Sequence, residues 1–234
     1  MEFLIIIIIV VNLLLILKFI FDINLKEIKK IVEDKELDEL TKKLPDNKEI
    51  CKWYLKKLNN ENVQIEENEG KQTCLYIWLT NKILIANIKN TYTRIQTIAH
   101  ECLHSVQGNK ILSFNFIYSN IYLIYFLIIS SIVLFGKFQN LWFLFVTILI
   151  VLGMVYLLVR NYLENDAMIK ARYLAKEYME DTKILKNEEI EKIIFKYDEI
   201  NILGIKSTNF YLFLSICRKI IIFSLICFIR IVAF

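Results

Sequence analysis

The chain has only two histidines, His100 and His104, and Glu101 directly follows the first of them. On a helix, side chains four residues apart project from one face, so both imidazole rings can reach a single metal ion. At its position beside His100, the Glu101 carboxylate can take a proton from a metal-activated water. The segment Thr97–Gln107 therefore predicts a zinc site with hydrolytic chemistry.

A catalytic zinc ion takes three protein ligands and leaves its fourth position to water. With no third histidine in the sequence, the three-histidine arrangement of metzincins is excluded. The five cysteines are scattered and include no CxxC pair, which favours free thiols over disulfides or a thiolate zinc site. Cys102 also lies off the predicted ligand face. A carboxylate from elsewhere in the chain must complete the site.

Apolar segments predict a membrane protein. The hydrophobic share of the sequence is 56%, above the usual 45–50% of soluble domains. Residues 3–21 approach the ~20 apolar residues that cross a bilayer. Lysines follow this run rather than precede it, and no small-residue cleavage site is present, so we expect an uncleaved anchor with the next segment in the cytoplasm.

Two further apolar stretches, 111–135 and 141–159, are separated by only five residues and predict a transmembrane hairpin. The hairpin returns the chain to the side it left, just before Glu164 and Asp166, which are therefore the candidate carboxylates. The segment 210–234 is apolar but carries Arg218, Lys219 and Arg230. It is either a fourth span or an interfacial helix.

These patterns divide the chain into five parts. They are an N-terminal membrane anchor (1–21), a cytoplasmic half with the HExxH helix (22–110), the transmembrane hairpin (111–159), cytoplasmic helices that carry the candidate carboxylates (160–209) and the C-terminal segment (210–234). One proline and five glycines interrupt the chain little, so long helices should dominate.

The cytoplasmic half has its own predicted elements. Apolar spacing predicts helices over 24–44, about 48–58 and about 91–108, and strands over 74–79 and 82–86 with a turn at Thr80–Asn81. The acidic run Glu66–Gly70 is interpreted as a solvated turn. The two strands either offer a rail for an extended peptide or simply cover the HExxH helix.

Two motifs resemble one known family. Ala99–Gln107 resembles the AHExxHxxQ of membrane zinc metallopeptidases of the YugP type, and Glu164–Ala167 followed by Ala171 resembles their ExDAxxxA. The resemblance covers about 90–172, and more distantly the chain is similar to the HtpX and CaaX prenyl protease gluzincins. Leu103, where the family usually has glycine, and Met168, where many gluzincins have aspartate, depart from the pattern.

Together, the apolar segments and the resemblance predict a mainly α-helical, multi-pass membrane protein. Its zincin-like metalloprotease core of helices and a small β-ribbon would be joined to the transmembrane hairpin. One Zn2+ ion would be held by His100, His104 and Glu164, with Glu101 as general base. Asp166, Gln107, Tyr162 and Arg172 are candidates to orient a ligand or to stabilise the oxyanion, and a purely structural role is open for each.

The expected function is a zinc-dependent endopeptidase in the cell membrane that faces the cytoplasm and hydrolyses protein or peptide substrates. The alternative is a non-catalytic membrane protein whose zinc site is structural or degenerate and which acts in assembly or interaction. A net charge of +4 is too mild to predict a nucleic-acid partner. The central spans hold few ionisable residues, which disfavours a transporter, and the sequence predicts no oligomeric state.

Overall fold

The computed structural model describes residues 2–22, 30–68, 70 and 73–233. These residues are mainly helical, as predicted, and form one small mixed sheet. The chain folds into two compact units. Unit 1 comprises residues 1–23, 113–162 and 206–234, and unit 2 comprises residues 24–112 and 163–205.

The helices and strands that carry the fold have the following bounds. The helices are α1 (Glu2–Phe21), α2 (Lys35–Thr41), α3 (Asn47–Lys57), α4 (Arg94–Val106), α5 (Asn109–Leu134), α6 (Trp142–Thr182) and α7 (Asn187–Ala233). The strands are β1 (Gln64–Asn68), β2 (Leu75–Ile77) and β3 (Lys82–Ala86). β3 lies in the centre of the sheet, parallel to β1 and antiparallel to β2.

The prediction of a single helix over 24–44 is wrong for the part of this range that the structure describes. Residues 24–29 lie outside the described residues. A new helix, α2, begins at Lys35 because the Asp34 side chain accepts hydrogen bonds from the backbone N–H groups of Glu36 and Leu37, at 3.1 and 3.2 Å. The predicted second helix is confirmed as α3. Asp46 caps it through the N–H of Glu49 at 2.8 Å.

The acidic run does not form a turn along its whole length, because Glu66, Glu67 and Asn68 belong to β1. β3 is almost entirely buried, so its backbone groups require hydrogen-bond partners on both sides. β1, a polar strand at the edge of the sheet, supplies the hydrogen-bond partners on one side of β3. In addition, Lys82 Nζ of β3 pairs with Glu66 Oε2 of β1 at 2.8 Å. Glu69 lies outside the described residues.

The predicted strand pair is confirmed as β2 and β3, with a shorter first strand than expected. β2 ends at Ile77, and residues Trp78–Thr80 form a 3-10 turn that closes at Asn81. Asn81 has φ 48° and ψ 51°, a left-handed conformation that asparagine adopts more readily than most residues. Its side chain accepts a hydrogen bond from the Tyr76 hydroxyl at 3.0 Å.

Unit 1 contains the apolar parts of α1, α5, α6 and α7, four helices that are long and apolar enough to cross a membrane. This arrangement is compatible with a multi-pass membrane protein. Close packing requires glycine at Gly153 of α6. A Cβ there would lie 2.7 Å from Ile216 Cγ2 of α7 and 2.9 Å from the Tyr122 hydroxyl oxygen of α5.

The C-terminal segment is part of α7, which runs without interruption to Ala233. At the turn of the hairpin, a Cβ on Gly136 would lie 2.8 Å from Arg230 Nη2 near the end of α7. Gly136 itself has φ 65°, which glycine adopts without steric cost. α7 therefore extends alongside the hairpin as far as its turn, which favours a fourth span over an interfacial helix.

Candidate metal centre

The fold of α4 orients the two histidines. Its residues Ile95, Ile98, Ala99 and Cys102 have no exposed surface and lie in the core of unit 2. Because one face of α4 is fixed in the core, the directions of its other side chains are fixed as well. Among these are His100 and His104, whose side chains are 19% and 13% exposed. The core thus sets the direction of both imidazole rings.

Cys102 lies within the histidine motif but points away from His100 and His104, as the sequence predicts. Its Sγ lies 3.6 Å from the Sγ of Cys51 on α3. Burial, and then the hydrogen bond with Cys51, raise the pKa of the Cys102 thiol. Cys102 therefore belongs to a buried pair of thiols and not to the group formed by His100, His104 and Glu164.

The third donor comes from α6, a single helix that begins in the apolar segment and continues through Glu164. Ala167, Ala171 and Ala175 follow Glu164 at helical spacing and are fully buried in the core of unit 2. Glu164 extends this buried face, so its carboxylate is directed inwards, with the side chain 14% exposed. The prediction that this helix carries Glu164 to the histidines agrees with the geometry.

Three donor atoms converge. His100 Nε2 and His104 Nε2 are 3.0 Å apart, and Glu164 Oε2 lies 3.4 Å from the first and 3.6 Å from the second. Ligand atoms about 2.0 Å from a tetrahedral zinc ion are separated by about 3.3 Å, so this spacing fits one ion. Among the described residues, no other His, Cys, Asp or Glu joins this group.

Gln107, at the end of α4, holds His104 from the other side. Its Oε1 lies 2.8 Å from His104 Nδ1, which favours the tautomer with the proton on Nδ1 and a free lone pair on Nε2. The Gln107 Nε2 donates to the carbonyl of Leu163 at 2.7 Å and to Asp166 Oδ2 at 3.3 Å. One amide thus connects a candidate ligand on α4 to the helix that carries Glu164.

The pKa of His104 reflects two opposing influences. Burial alone lowers the pKa, but the hydrogen bond and negative charge of Glu164 outweigh it and raise the pKa above its ordinary value. An acidic group beside two imidazoles thus stabilises positive charge at the position where their donor atoms meet. A divalent cation satisfies the same electrostatic requirement.

Glu101 lies on α4 beside the histidines but is engaged by the sheet. Its Oε2 accepts a hydrogen bond of 2.6 Å from the backbone N–H of Tyr76 in β2, and the residue is only 7% exposed. Because β2 is an edge strand of the sheet, this N–H belongs to a strand with only one neighbour. The general base predicted from the sequence is therefore hydrogen-bonded to the protein backbone.

The remaining candidates occupy different surroundings. Asp166 pairs with Lys170 at 2.6 Å and also accepts a hydrogen bond from Gln107. Its connection to the candidate metal centre is therefore through the Gln107 amide. Arg172 forms a two-point ion pair with Asp198 of α7 at 2.5 and 2.8 Å. Its guanidinium therefore has a structural role in connecting α6 to α7. Tyr162 belongs to unit 1, and its side chain is 61% exposed.

Two contacts at the site were not predicted from the sequence, and both involve backbone groups. They are the Tyr76 N–H on Glu101 and the Leu163 carbonyl on Gln107. A backbone group has no identity in a sequence pattern, so only the tertiary fold reveals these partners. The one available signal was the predicted strand at residues 74–79 before the motif.

Comparisons of the chain with protein-family models, with curated proteins and with solved structures found no match in any of the three.

Proposed function

We propose that this protein is a membrane-bound, zinc-dependent endopeptidase in which His100, His104 and Glu164 hold one zinc ion. The observation that carries the proposal is the convergence of two imidazole nitrogens and one carboxylate oxygen at 3.0, 3.4 and 3.6 Å. Three protein ligands leave one tetrahedral position for water, as in catalytic rather than structural zinc sites. The resemblance of the two motifs to membrane zinc metallopeptidases supports the same chemistry.

The chain's own residues then have defined tasks. A zinc ion bound here would acidify a water molecule and polarise the peptide carbonyl. Glu101 accepts a proton from the water as the water oxygen bonds to the carbonyl carbon. It returns this proton to the amine nitrogen as the peptide C–N bond breaks. Gln107 keeps His104 in the tautomer that leaves Nε2 free for the metal.

The proposed setting is the cell membrane, with the catalytic unit facing the cytoplasm and the bilayer as its permanent partner. Four apolar helices support membrane spanning, and the cations Lys18, Lys110, Arg160 and Lys206 near the ends that lead into unit 2 support this orientation. Substrates would be proteins or peptides that reach the membrane surface.

A second candidate function is a non-catalytic membrane protein with a structural metal site. The specific observation in its favour is the 2.6 Å hydrogen bond between Glu101 and the Tyr76 N–H, which occupies one carboxylate oxygen of the proposed base. The departures at Leu103 and Met168 point the same way. In this alternative, the metal would stabilise the junction of α4 with α6.

The experiment combines metal analysis with proteolysis by the purified full chain in detergent. We expect about one zinc per chain and zinc-dependent cleavage of fluorescently labelled casein. Glu101→Gln should retain zinc and lose cleavage by at least about 100-fold, because a general base typically contributes that much. Glu164→Gln should lose both zinc and cleavage.

Glu177→Gln is the matched control, because Glu177 lies on the same helix as Glu164 but pairs with Lys57 at the surface. It should retain both zinc and activity. Undiminished cleavage by Glu101→Gln would refute the proposed mechanism. Stoichiometric zinc without cleavage in the wild-type chain, together with a lower melting temperature after chelation, would favour the structural alternative.

A further inference from the structure

A groove on unit 2 combines an unpaired row of lysines with an apolar floor. Lys48, Lys52 and Lys56 follow one another at four-residue intervals on α3 and therefore share one face of the helix. The groove has a volume of about 470 Å³. Its remaining lining consists of Trp53, Leu55, Val63 and Ile65, with one acidic side chain, Glu61.

The three lysines carry charge that no described residue of the protein neutralises. Neighbouring cations do have partners: Lys57 pairs with Glu177 at 2.5 Å and Lys82 with Glu66 at 2.8 Å. No described carboxylate lies within ion-pair distance of the lysine row, and all three side chains are exposed. With Glu61 as the one acidic lining residue, the groove has an excess of positive charge and is complementary to an anionic ligand.

The spacing of the row matches an extended peptide. Successive lysines rise about 6 Å along the helix, since four residues advance 1.5 Å each. Alternate side chains of an extended strand repeat at about 6.7 Å and point to the same side. Three carboxylates at every second position of such a strand can therefore meet the three ammonium groups in order.

The floor of the groove suits the intervening positions of the same strand. Val63 and Ile65 are two residues apart at the start of β1, so their side chains lie on one face. Val63 is 6% exposed and Leu55 is 2% exposed, so the floor is firmly packed. Apolar side chains that alternate with the carboxylates can pack on this surface.

We propose that this groove binds an extended peptide segment in which acidic and apolar side chains alternate. The partner is thus identified by its chemistry as an acidic strand of another protein. The groove shares no residue with His100, His104, Glu101 or Glu164. The proposal therefore does not depend on the hydrolytic chemistry.

The test is fluorescence anisotropy with the full chain in detergent and a labelled probe peptide of sequence Gly-Ser-Glu-Val-Glu-Val-Glu-Ser-Gly. We expect saturable binding that weakens as salt is raised. The triple variant Lys48→Gln, Lys52→Gln, Lys56→Gln should weaken binding about tenfold, because each exposed ion pair contributes a few-fold. The matched control, Lys30→Gln, Lys35→Gln, Lys183→Gln, removes the same charge elsewhere on unit 2 and should change binding less than about twofold.

Three results would overturn the proposal. Equal binding by the triple variant and the control variant would show that the lysine row is not the site. Equal binding of a reordered probe, Gly-Ser-Glu-Glu-Glu-Val-Val-Ser-Gly, would remove the spacing argument. Lysine-dependent binding to phosphatidylserine vesicles with no binding of the probe would assign the row to a lipid surface. Because the substituted side chains are exposed, unchanged circular dichroism should accompany each measurement.

Discussion

The most informative residue beside the candidate metal centre is Gln107, because its amide contacts both helices that carry the three donors. Its oxygen lies 2.8 Å from His104 Nδ1, and its nitrogen donates to the Leu163 carbonyl, one residue before Glu164. A glutamine that only occupied the surface would need no such partners. The geometry therefore assigns Gln107 a positioning role for both His104 and Glu164.

We predict that Gln107→Leu weakens zinc binding by about 10- to 100-fold, the usual effect of removing a hydrogen-bond partner of a metal-ligating histidine. The physical reason is that His104 loses the hydrogen bond that fixes its tautomer, and α4 and α6 lose the amide that connects them. Competition with a chromophoric zinc chelator measures the affinity. Gln139→Leu, an exposed glutamine of unit 1, is the control and should bind zinc as the wild type does.

An unchanged zinc affinity in Gln107→Leu would contradict the positioning role. Asp166→Asn provides a graded comparison. Its side-chain oxygen can still accept from Gln107 Nε2, so its effect on affinity should be smaller than that of Gln107→Leu. A larger effect of Asp166→Asn would indicate that Asp166 acts directly on the metal.

Only some of the residues at the site could be predicted from the sequence. His100, Glu101 and His104 are close in sequence, so the helical period alone predicts their arrangement. Glu164 required the membrane hairpin and the family resemblance, because it lies far along the chain. The contact between Tyr76 and Glu101 could not be predicted, since it depends on where a backbone N–H of β2 lies after folding.

At the scale of elements, Arg94 connects the beginning of α4 to the segment between α2 and α3. Its guanidinium is 2% exposed and donates to the carbonyls of Pro45, Thr41 and Leu44 at 2.8, 2.8 and 3.0 Å. It also donates to Asn47 Oδ1 at 2.9 Å. One side chain thus provides donors to the last carbonyl of α2 and to carbonyls of the segment that follows it.

We predict that Arg94→Met lowers the free energy of unfolding of unit 2 by about 3 kcal/mol, because several buried acceptors lose their donor. The measurement is the temperature at which the buried Cys51 and Cys102 thiols react with a maleimide dye, mapped by mass spectrometry. Lys192→Met removes an exposed cation from a surface ion pair with Glu36 and should shift that temperature little.

Equal shifts in Arg94→Met and Lys192→Met would contradict a special role for the buried guanidinium. The lysine variant Arg94→Lys should be intermediate. It keeps the charge, but its single ammonium group cannot reproduce the planar fork that reaches four acceptors. Full recovery of the wild-type labelling temperature in Arg94→Lys would show that charge alone is sufficient.

Elements were predicted well where a pattern is local and poorly where a partner is required. α3 and the strand pair β2 and β3 follow from apolar spacing and turn residues. β1 was mistaken for part of a turn because its polar sequence becomes a strand only by pairing with β3. The predicted helix over 24–44 was not divided at Asp34, because Asp34 is a cap only once its side chain bonds to Glu36 and Leu37.

At the scale of the whole molecule, the chain passes between its two units four times. Within unit 1, Phe21 at the end of α1 contacts Phe210 of α7 with ring centroids 6.4 Å apart, and Gly136 of the hairpin turn approaches Arg230. The end of α1 and the early apolar part of α7 therefore lie at one end of the helix group. The hairpin turn and the end of α7 lie at the other.

This arrangement makes the sidedness of the protein testable by cysteine labelling in intact cells. We predict that Asn140→Cys, in the hairpin turn, reacts with a membrane-impermeant maleimide added outside. Lys186→Cys, between α6 and α7, should react only after permeabilisation, because the cation-rich ends are expected in the cytoplasm. The wild-type chain reports any background from its five native thiols.

Val232→Cys distinguishes a spanning α7 from an interfacial one, since its side chain is 69% exposed near the helix end. If α7 crosses the bilayer, Val232→Cys should label from outside together with Asn140→Cys. Labelling of Val232→Cys only after permeabilisation, together with Lys186→Cys, would place the end of α7 on the cytoplasmic side and contradict the fourth span. Labelling of Lys186→Cys in intact cells would instead reverse the orientation, and with it the compartment that the candidate metal centre faces.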